Sequence, residues 1–375
     1  MKKILHISKF YPPYYGGIED VVYNIVSEFR NSAYEQRVIC FNHEKGGTIR
    51  TNENGIGIVR VKTPFTIASQ PISLSYLWQL KKELQTFKPD IIHVHFPNPL
   101  IAVYLLLLSL HHIKVIIHWH ADIIGKNMLY WTIKPFERRA LQRADVIITT
   151  SEQYIELSKP LLPFKDKIRI LPNTINETKL QLQPGDNDTI AHIRSWYNGK
   201  KIVFFVGRHV PYKGIDLLIK ATRYLPENCV VVIGSTGEQT AYLQELAQPY
   251  GEKIQFVGRL TDTEMRCYLY AADIFAFPSI DRREAFGVAL AEALYCGTPA
   301  VTFRINGSGV TWVNQDKKTG IIVDEIDEKH YAEALNVLLA DEALRIQYGQ
   351  TAQEWVRAHF LKNRIDSLSE LYDQC

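Results

Sequence analysis

The sequence lacks a hydrophobic run long enough to cross a membrane. Its most apolar window, residues 100–110, is about half as long as the roughly 20 residues of a spanning helix. The apolar stretch at the N-terminus is interrupted by His6 and Lys9, which argues against a signal peptide. We therefore expect a cytoplasmic protein in which this window is either a buried helix or a helix that touches lipid at an interface.

The chain also has no CxxC pair and no strong excess of charge of one sign. Its five cysteines stand at wide, irregular spacings, which is typical of cytosolic thiols and not of zinc or redox sites: Cys40, Cys229, Cys267, Cys296 and Cys375. A net charge of +3 gives no reason to expect a nucleic-acid partner. Neither half of the chain has G-x-G-x-x-G after its first predicted strand, which disfavours a nicotinamide dehydrogenase.

What the sequence does have is two series of short apolar runs that alternate with helical patterns. Such alternation predicts α/β structure with parallel sheets. A length of 375 residues with 46% apolar content fits two Rossmann-like, doubly wound domains that face each other across a cleft. The expected boundaries are an N-terminal domain (1–172), a polar linker (173–198), a C-terminal domain (199–350) and a last helical stretch returning to the first domain (351–375).

The stretch REAFGVALAEAL places two glutamates, Glu284 and Glu292, around a predicted helix. Free amides at the start of that helix would attract an anion such as a phosphate, and they belong to Phe286, Gly287 and Val288. Carboxylates at its two ends could each accept hydrogen bonds from hydroxyl groups of a sugar or a ribose. The alternative is that both glutamates are solvated helix charges.

A second stretch, VGRHVPYKG, follows a predicted strand and carries Arg208 and Lys213. Two cations in one strand–helix loop suit a diphosphate, because arginine forks onto two oxygens and lysine supplies a mobile charge. Solvated loop cations are the common alternative when such a motif stands alone.

GRHVPYKGIDLLIKA and the later segment VGRLTDTEMRCYLYAADIFAFPSIDRREAFGVALAEALYCGTPAVTF together resemble the donor half of family-four retaining glycosyltransferases of the GT-B fold, including their Glu-x7-Glu motif. The resemblance implies that Glu284 faces the donor hexose and Glu292 the ribose. It implies likewise that Arg208 and Lys213 bind the diphosphate. Arg259 and Leu260 match the place that holds the nucleotide base.

The first half of the chain carries further candidates. Gly16 and Gly17 open a predicted helix, where the backbone either forms a tight turn or approaches a bulky ligand, and the family has its Gly-Gly loop at this place. His120, in HWHAD, matches the family's histidine near the donor sugar. His118 and His120 could instead be core or surface groups or metal ligands. With His93 and His95 they make four histidines near one edge, which could suggest zinc, but no cysteine joins them and the resemblance implies no metal.

Two stretches depart from simple expectation. The family often shows Gly-Gly-x-x-Glu where this chain has RINGSGVTWV, residues 304–313, which puts the contacts of this loop in doubt. DND at residues 186–188 formally resembles the Asp-x-Asp metal motif of another glycosyltransferase fold. We discount it because it falls in the predicted linker.

The resulting expectation is a retaining, metal-independent hexosyltransferase without a cofactor. It would use a UDP- or GDP-sugar and a hydroxyl of a lipid-linked saccharide, in O-antigen, lipopolysaccharide or other surface polysaccharide synthesis. A sugar-nucleotide epimerase or isomerase on the same fold, or a non-catalytic nucleotide-sugar binder, are the alternatives. Basic residues around Trp131 and Phe136 could dock on acidic lipid at the inner face of the plasma membrane, or form a solvated helix face: Lys134, Arg138, Arg139 and Arg143.

Overall fold

The chain divides into two α/β units. The computed structural model describes residues 1–14, 16–67, 70–123, 128–361 and 366–374. The first unit comprises Met1–Thr174 together with Lys362–Cys375, and the second comprises Ile175–Leu361.

The first unit contains an eight-stranded sheet of order β10-β9-β8-β7-β1-β2-β4-β3 and a separate β5–β6 hairpin, within the described residues. Its strands are β1 (Lys2–Ile7), β2 (Tyr34–Phe41), β3 (Ile49–Glu53), β4 (Ile56–Val61), β5 (Phe65–Ile67), β6 (Gln70–Ile72), β7 (Ile91–Phe96), β8 (Lys114–Trp119), β9 (Val146–Thr149) and β10 (Ile168–Ile170). Its first helices are α1 (Gly17–Glu28), α2 (Ser75–Phe87), α3 (Pro99–Leu107), α4 (Met128–Arg143) and α5 (Glu152–Leu157). The pairs of the large sheet are parallel except β3 with β4.

The second unit has a six-stranded parallel sheet of order β13-β12-β11-β14-β15-β16. The strands are β11 (Lys201–Val206), β12 (Cys229–Gly234), β13 (Ile254–Gly258), β14 (Ile274–Phe277), β15 (Ala300–Phe303) and β16 (Gly320–Val323). The helices are α6 (Glu177–Leu180), α7 (Asp186–Trp196), α8 (Ile215–Ala221), α9 (Thr240–Ala247), α10 (Asp262–Ala271), α11 (Val288–Tyr295), α12 (Val310–Val313), α13 (Glu328–Ala340) and α14 (Glu342–His359).

Strand β11 shows why the apolar runs are continuous. Ile202 and Phe204 face one buried cluster of side chains, and Val203 and Phe205 face another on the opposite side of the sheet. A parallel sheet covered by helices on both faces must be apolar on both faces, so alternation with polar residues disappears. The expected two-domain α/β fold is confirmed.

The segment expected to be a linker, residues 173–198, differs from that expectation. Its polar residues form α6 and α7, and the side chain of Asn176 accepts a hydrogen bond from the amide of Thr178 at the start of α6. Asp186, at the start of α7, forms a buried bidentate ion pair with Arg266 of α10, with N···O distances of 2.7 and 3.0 Å. The acidic DND sequence therefore begins a packed helix, which gives Asp186 a structural partner.

The C-terminal stretch is divided between the two units. Helix α14 ends at His359 in the second unit, and a further helix, α15 (Asp366–Gln374), belongs to the first. The Nζ of Lys2 donates hydrogen bonds to the carbonyl oxygens of Tyr372 and Asp373 at 2.8 and 2.9 Å. The last helix therefore packs within the first unit, whereas residues 351–359 belong to the second. Cys375 lies outside the described residues; the other four cysteines are buried and free.

The apolar window at residues 100–110 contains α3, in which Ile101, Ala102, Tyr104 and Leu105 are buried. Among the described residues, no helix is long and apolar enough to span a membrane. Five of the eleven side chains of the window are buried and two are exposed, Leu107 among them, so the window follows the buried-helix alternative only in part.

Candidate functional site

The sheet of the second unit has a topological switch point between β11 and β14. From β11 the chain moves outward to β12 and β13, and then returns to the other side of β11 with β14. All strand pairs are parallel, so the loops after β11 and β14 begin at the same edge. Ligands of open α/β sheets bind outside the carboxyl ends of the strands at such a point.

At this point Lys213, from the loop after β11, forms an ion pair with Glu284, from the loop after β14. Both side chains are almost fully buried, with 12% and 11% of their area exposed. Burial disfavours the charged ammonium, but the adjacent Glu284 carboxylate outweighs it and raises the pKa of Lys213 above 10.5. Two residues that the sequence analysis assigned to one ligand therefore touch each other.

The Glu284 carboxylate is held by a second polar side chain. The hydroxyl of Ser279 donates to Oε2 of Glu284 at 3.0 Å. The backbone at Glu284 is fixed as well, because the hydroxyl of Ser308 donates to its carbonyl oxygen. Sequence reasoning missed both serines; Ser279 follows β14 directly, and that position was the available signal.

Gly214 explains how the two loops come so close. Its φ is +62°, and a Cβ atom placed there would lie 2.1 Å from the carbonyl oxygen of Pro278. The amide of Ile280 donates to the carbonyl of Tyr212 at 2.9 Å, which joins the same two loops. Only glycine fits this position without displacing the loop that carries Lys213.

Helix α11 begins at Val288, two residues later than the sequence pattern suggested. Gly287 is its N-cap, with φ +93°, and no side chain of the described residues caps it. The Phe286 side chain is buried against Trp312 and Phe360, with ring centroids 6.4 and 5.2 Å away. The amides at this helix start are thus presented by a fixed turn beside Glu284, whereas Glu292 lies in the second turn and is half-buried.

The loop after β11 is also fixed to the loop after β12. His209 is buried; its Nδ1 lies 3.0 Å from Oγ1 of Thr240, and its Nε2 lies 3.3 Å from the carbonyl oxygen of Gly234. A Cβ at Gly237 would lie 2.4 Å from the carbonyl oxygen of His209. His209 stands inside the VGRHVPYKG motif, yet its role in holding the loop was not anticipated.

The remaining donor-side candidates lie along the same edge. Arg208 is exposed and close enough to Lys213 for its charge to oppose protonation of that lysine. Arg259 follows β13 and donates from Nε to Oγ1 of Thr236 at 3.2 Å. Leu260 is half-buried and packs near Gly234 at the end of β12. The geometry therefore groups all of these residues at one sheet edge of the second unit.

In the first unit, Gly16, Gly17 and His120 follow the carboxyl ends of β1 and β8. Gly16 is the N-cap of α1 in extended conformation, and nothing lies within 4 Å of a Cβ built on Gly17. Open space at Gly17 is compatible with close approach of a ligand. His120 is buried, and burial lowers its pKa to about 3, so its imidazole is neutral at physiological pH.

Both units match known protein families. Residues 186–355 match the family described as glycosyl transferases group 1, and residues 15–179 match Glycosyltransferase Family 4. O-antigen chain mannosyltransferase C of Escherichia coli is 30% identical over 376 residues, which cover 99% of this chain and 98% of that protein. The chain belongs to glycosyltransferase family 4. This confirms the expected family and the enzyme class, a glycosyltransferase.

A second relative of this family 4 glycosyltransferase is similar over nearly its whole length, and a solved structure has the same fold. D-rhamnosyltransferase WbpZ of Pseudomonas aeruginosa is 26% identical over 359 residues, with 96% of this chain and 92% of that protein covered. The crystal structure of Anabaena Alr3699/HepE in complex with UDP and glucose shares the fold, with a TM-score of 0.78 at 19% identity and full coverage of both chains.

Proposed function

We propose that this glycosyltransferase moves a hexosyl unit of manno configuration from a nucleoside diphosphate sugar to a hydroxyl of a lipid-linked saccharide. The relatives named for mannosyl and D-rhamnosyl transfer support the sugar, because mannose and rhamnose share the axial 2-hydroxyl. A neighbour of the same fold with bound UDP and glucose supports the nucleotide sugar. The name of the first relative, an O-antigen chain mannosyltransferase, also favours a place in surface polysaccharide synthesis.

The observation that carries the proposal is the buried Lys213–Glu284 pair at the switch point, beside the start of α11. A departing diphosphate gains negative charge, which a fixed ammonium, Arg208 and free helix amides would stabilise without reorganisation. Glu284 orients Lys213 and offers its second oxygen to the hydroxyls of the sugar. Glu292, Arg259 and Leu260 contact the nucleoside. The roles in donor binding and at the reaction centre that the sequence predicts for Gly16, Gly17 and His120 of the first unit stay predictions.

We further propose retention at the anomeric carbon without a metal ion. Glu284 is engaged with Lys213 and Ser279, so it is poorly placed to act as a free nucleophile. A route in which the departing phosphate guides the acceptor hydroxyl onto the same face needs no protein nucleophile. Chemical determination of the anomeric configuration of the product tests this point; an inverted product would contradict it.

The first experiment is a panel of UDP- and GDP-linked hexoses, with release of the nucleoside diphosphate measured in the presence and absence of an acceptor lipid fraction. We expect acceptor-dependent release with a manno-configured donor. Conversion of the donor to another sugar nucleotide without acceptor would instead identify an epimerase or isomerase. Tight binding with no turnover under any condition would identify a non-catalytic binder.

Lys213→Ala should lower turnover at saturating donor about 10²–10³-fold, as expected for removal of one preorganised donor to the developing charge. Lys220→Ala is the matched control, because Lys220 lies on the next helix in an ordinary surface pair with Asp216 at 3.2 Å. Equal activity of both variants would refute the assigned role of Lys213.

Helix α4 offers a surface for peripheral membrane contact. Trp131 is 66% exposed, and Lys134 and Arg138 are exposed at positions three and seven residues later, on the same helix face. We propose that this face docks on anionic lipid. Sedimentation with phosphatidylglycerol vesicles should fall when salt rises from about 0.1 M to 1 M and in Trp131→Ala. Equal recovery with neutral phosphatidylcholine vesicles would contradict the proposal.

A further inference from the structure

The first unit contains a buried layer of five histidines, of which the donor chemistry predicted from the sequence uses only His120. They lie on one face of three adjacent parallel strands, because His6 pairs in register with His93, and His95 with His118. The layer comprises His6 of β1, His93 and His95 of β7, His118 of β8 and His120 just after it. Each is at most 4% exposed.

His6, His93 and His95 share one arrangement, which His120 also has: one ring nitrogen is hydrogen-bonded and the other, also buried, has no partner among the described residues. Nε2 of His6 lies 3.2 Å from Oε1 of Gln36, Nδ1 of His93 lies 2.6 Å from the hydroxyl of Tyr372, and Nδ1 of His95 lies 3.0 Å from Nε2 of His120. The partnerless atoms are Nδ1 of His6, Nε2 of His93 and Nε2 of His95. One ring nitrogen of each of these three residues lies within 4.8 Å of those of the other two, and His95, His118 and His120 form a second such group.

The hydrogen bonds of Gln36 determine the tautomer of His6. The amide nitrogen of Gln36 donates to the carbonyl oxygen of Val26 at 3.1 Å, so its amide oxygen faces His6. That oxygen can only accept, and Nε2 of His6 therefore carries the proton. Nδ1 of His6 is then a bare lone pair inside the protein.

A buried lone pair needs a proton, a hydrogen-bond donor or a metal ion. All three rings are at most 1% exposed, and burial away from water disfavours the charged imidazolium, so a proton is a poor partner. Neutral imidazole is the form that binds zinc, with N–Zn distances of about 2.0–2.1 Å. A metal-binding histidine usually donates a hydrogen bond from its other ring nitrogen. In His6 that donor is Nε2, and the amide oxygen of Gln36 is the acceptor.

We propose that His6, His93 and His95 bind a divalent transition metal, for which Zn²⁺ is the probe, through the three partnerless ring nitrogens. The site requires the rings to close by roughly 1 Å around the ion, which is a small rotation. The ligands lie on β1 and β7, and the hydroxyl of Tyr372 in α15 is hydrogen-bonded to His93. A bound metal would therefore stabilise the packing of the C-terminal helix on the sheet. This role is structural, and the metal takes no part in the proposed transfer reaction.

The test uses the full-length chain. Protein purified in metal-free buffer is analysed for bound metal, then stripped with chelator and titrated with Zn²⁺ or Co²⁺ while the unfolding temperature and the visible Co²⁺ spectrum are recorded. We expect one zinc per chain, a rise in unfolding temperature on readdition, and Co²⁺ bands of a nitrogen-bound site. Metal content below stoichiometry with no change on titration would overturn the proposal and leave ordered water as the partner of these nitrogens.

Variants identify the ligands. His6→Phe should abolish stoichiometric binding, whereas His118→Phe, in the same buried layer but outside the triad, should retain it. The opposite pattern would refute the assigned ligands. Gln36→Leu keeps all three ligands and should weaken Zn²⁺ binding about 10–100-fold, so it tests the site even if His6→Phe fails to fold. Undiminished affinity of Gln36→Leu would also count against the proposal.

Discussion

Replacing both members of the Lys213–Glu284 pair, singly and together, measures the interaction that organises the proposed donor site. Lys213→Met leaves a buried carboxylate, and Glu284→Gln leaves a buried ammonium that only a neutral amide faces. Breaking a buried pair by removing one partner costs about 3–5 kcal/mol. The small remaining exposure of both side chains, 12% and 11%, and the hydrogen bond from Ser279 favour the lower value, about 3 kcal/mol.

The double variant should cost much less than the sum of the two single variants, because it leaves no uncompensated charge. We expect a coupling energy of about 2–3 kcal/mol, within the range measured for residues in contact. At about 2–4 °C per kcal/mol for a unit of this size, each single variant should unfold about 6–12 °C earlier. Thermal unfolding of the four proteins at one pH is the assay.

The pH dependence provides a second check. The folded pKa of Lys213 is raised above its ordinary value of 10.5, so the stability that depends on its charge is fully present from neutral pH up to 10.5. The contribution is lost as the pH rises through the folded pKa. Single-variant costs that add within about 0.5 kcal/mol at neutral pH would refute the reasoning, since additivity means that the two groups do not interact.

Three further predictions concern neighbouring features. Gly214→Ala should weaken nucleoside diphosphate binding measured by calorimetry, because the new Cβ would lie 2.1 Å from a backbone oxygen. Gly199→Ala is the control: its Cβ meets nothing within 4 Å, so the positive φ at this position is strained but binding should be normal. Asp186→Asn should lower the unfolding free energy by about 3–5 kcal/mol, since it leaves Arg266 buried without a charge partner; a loss below 1 kcal/mol would contradict this. Burial raises the pKa of Glu137 from its ordinary 4.5 to about 7, so between these pH values the native state binds a proton that the unfolded state has lost. The free energy of unfolding should therefore fall by up to about 3 kcal/mol as the pH rises from 4.5 to 7. Denaturant titrations of Glu137→Gln should lack this fall.

The sequence was sufficient for the sheets because their strands are buried on both faces and are therefore apolar throughout. It was insufficient for residues 173–198, where polarity suggested solvent exposure. There the polar side chains act locally, as Asn176 does at the start of α6, or in a long-range ion pair, as Asp186 does with Arg266. Ile190, Ile193 and Tyr197 at helical spacing were the signal that α7 is packed.

The candidate site shows the same limit at finer scale. Chemistry and spacing singled out Lys213 and Glu284 separately, yet nothing in a linear pattern indicates that residues 71 positions apart form one ion pair. That contact depends on Gly214, whose missing Cβ lets the two loops meet, and on the sheet order that brings β11 beside β14. The ammonium group of Lys213 at this edge is therefore already paired before any ligand binds. It is held in place by a carboxylate, so any diphosphate that binds there must compete with Glu284 or share Lys213 with it, and a change at either residue should alter both stability and turnover.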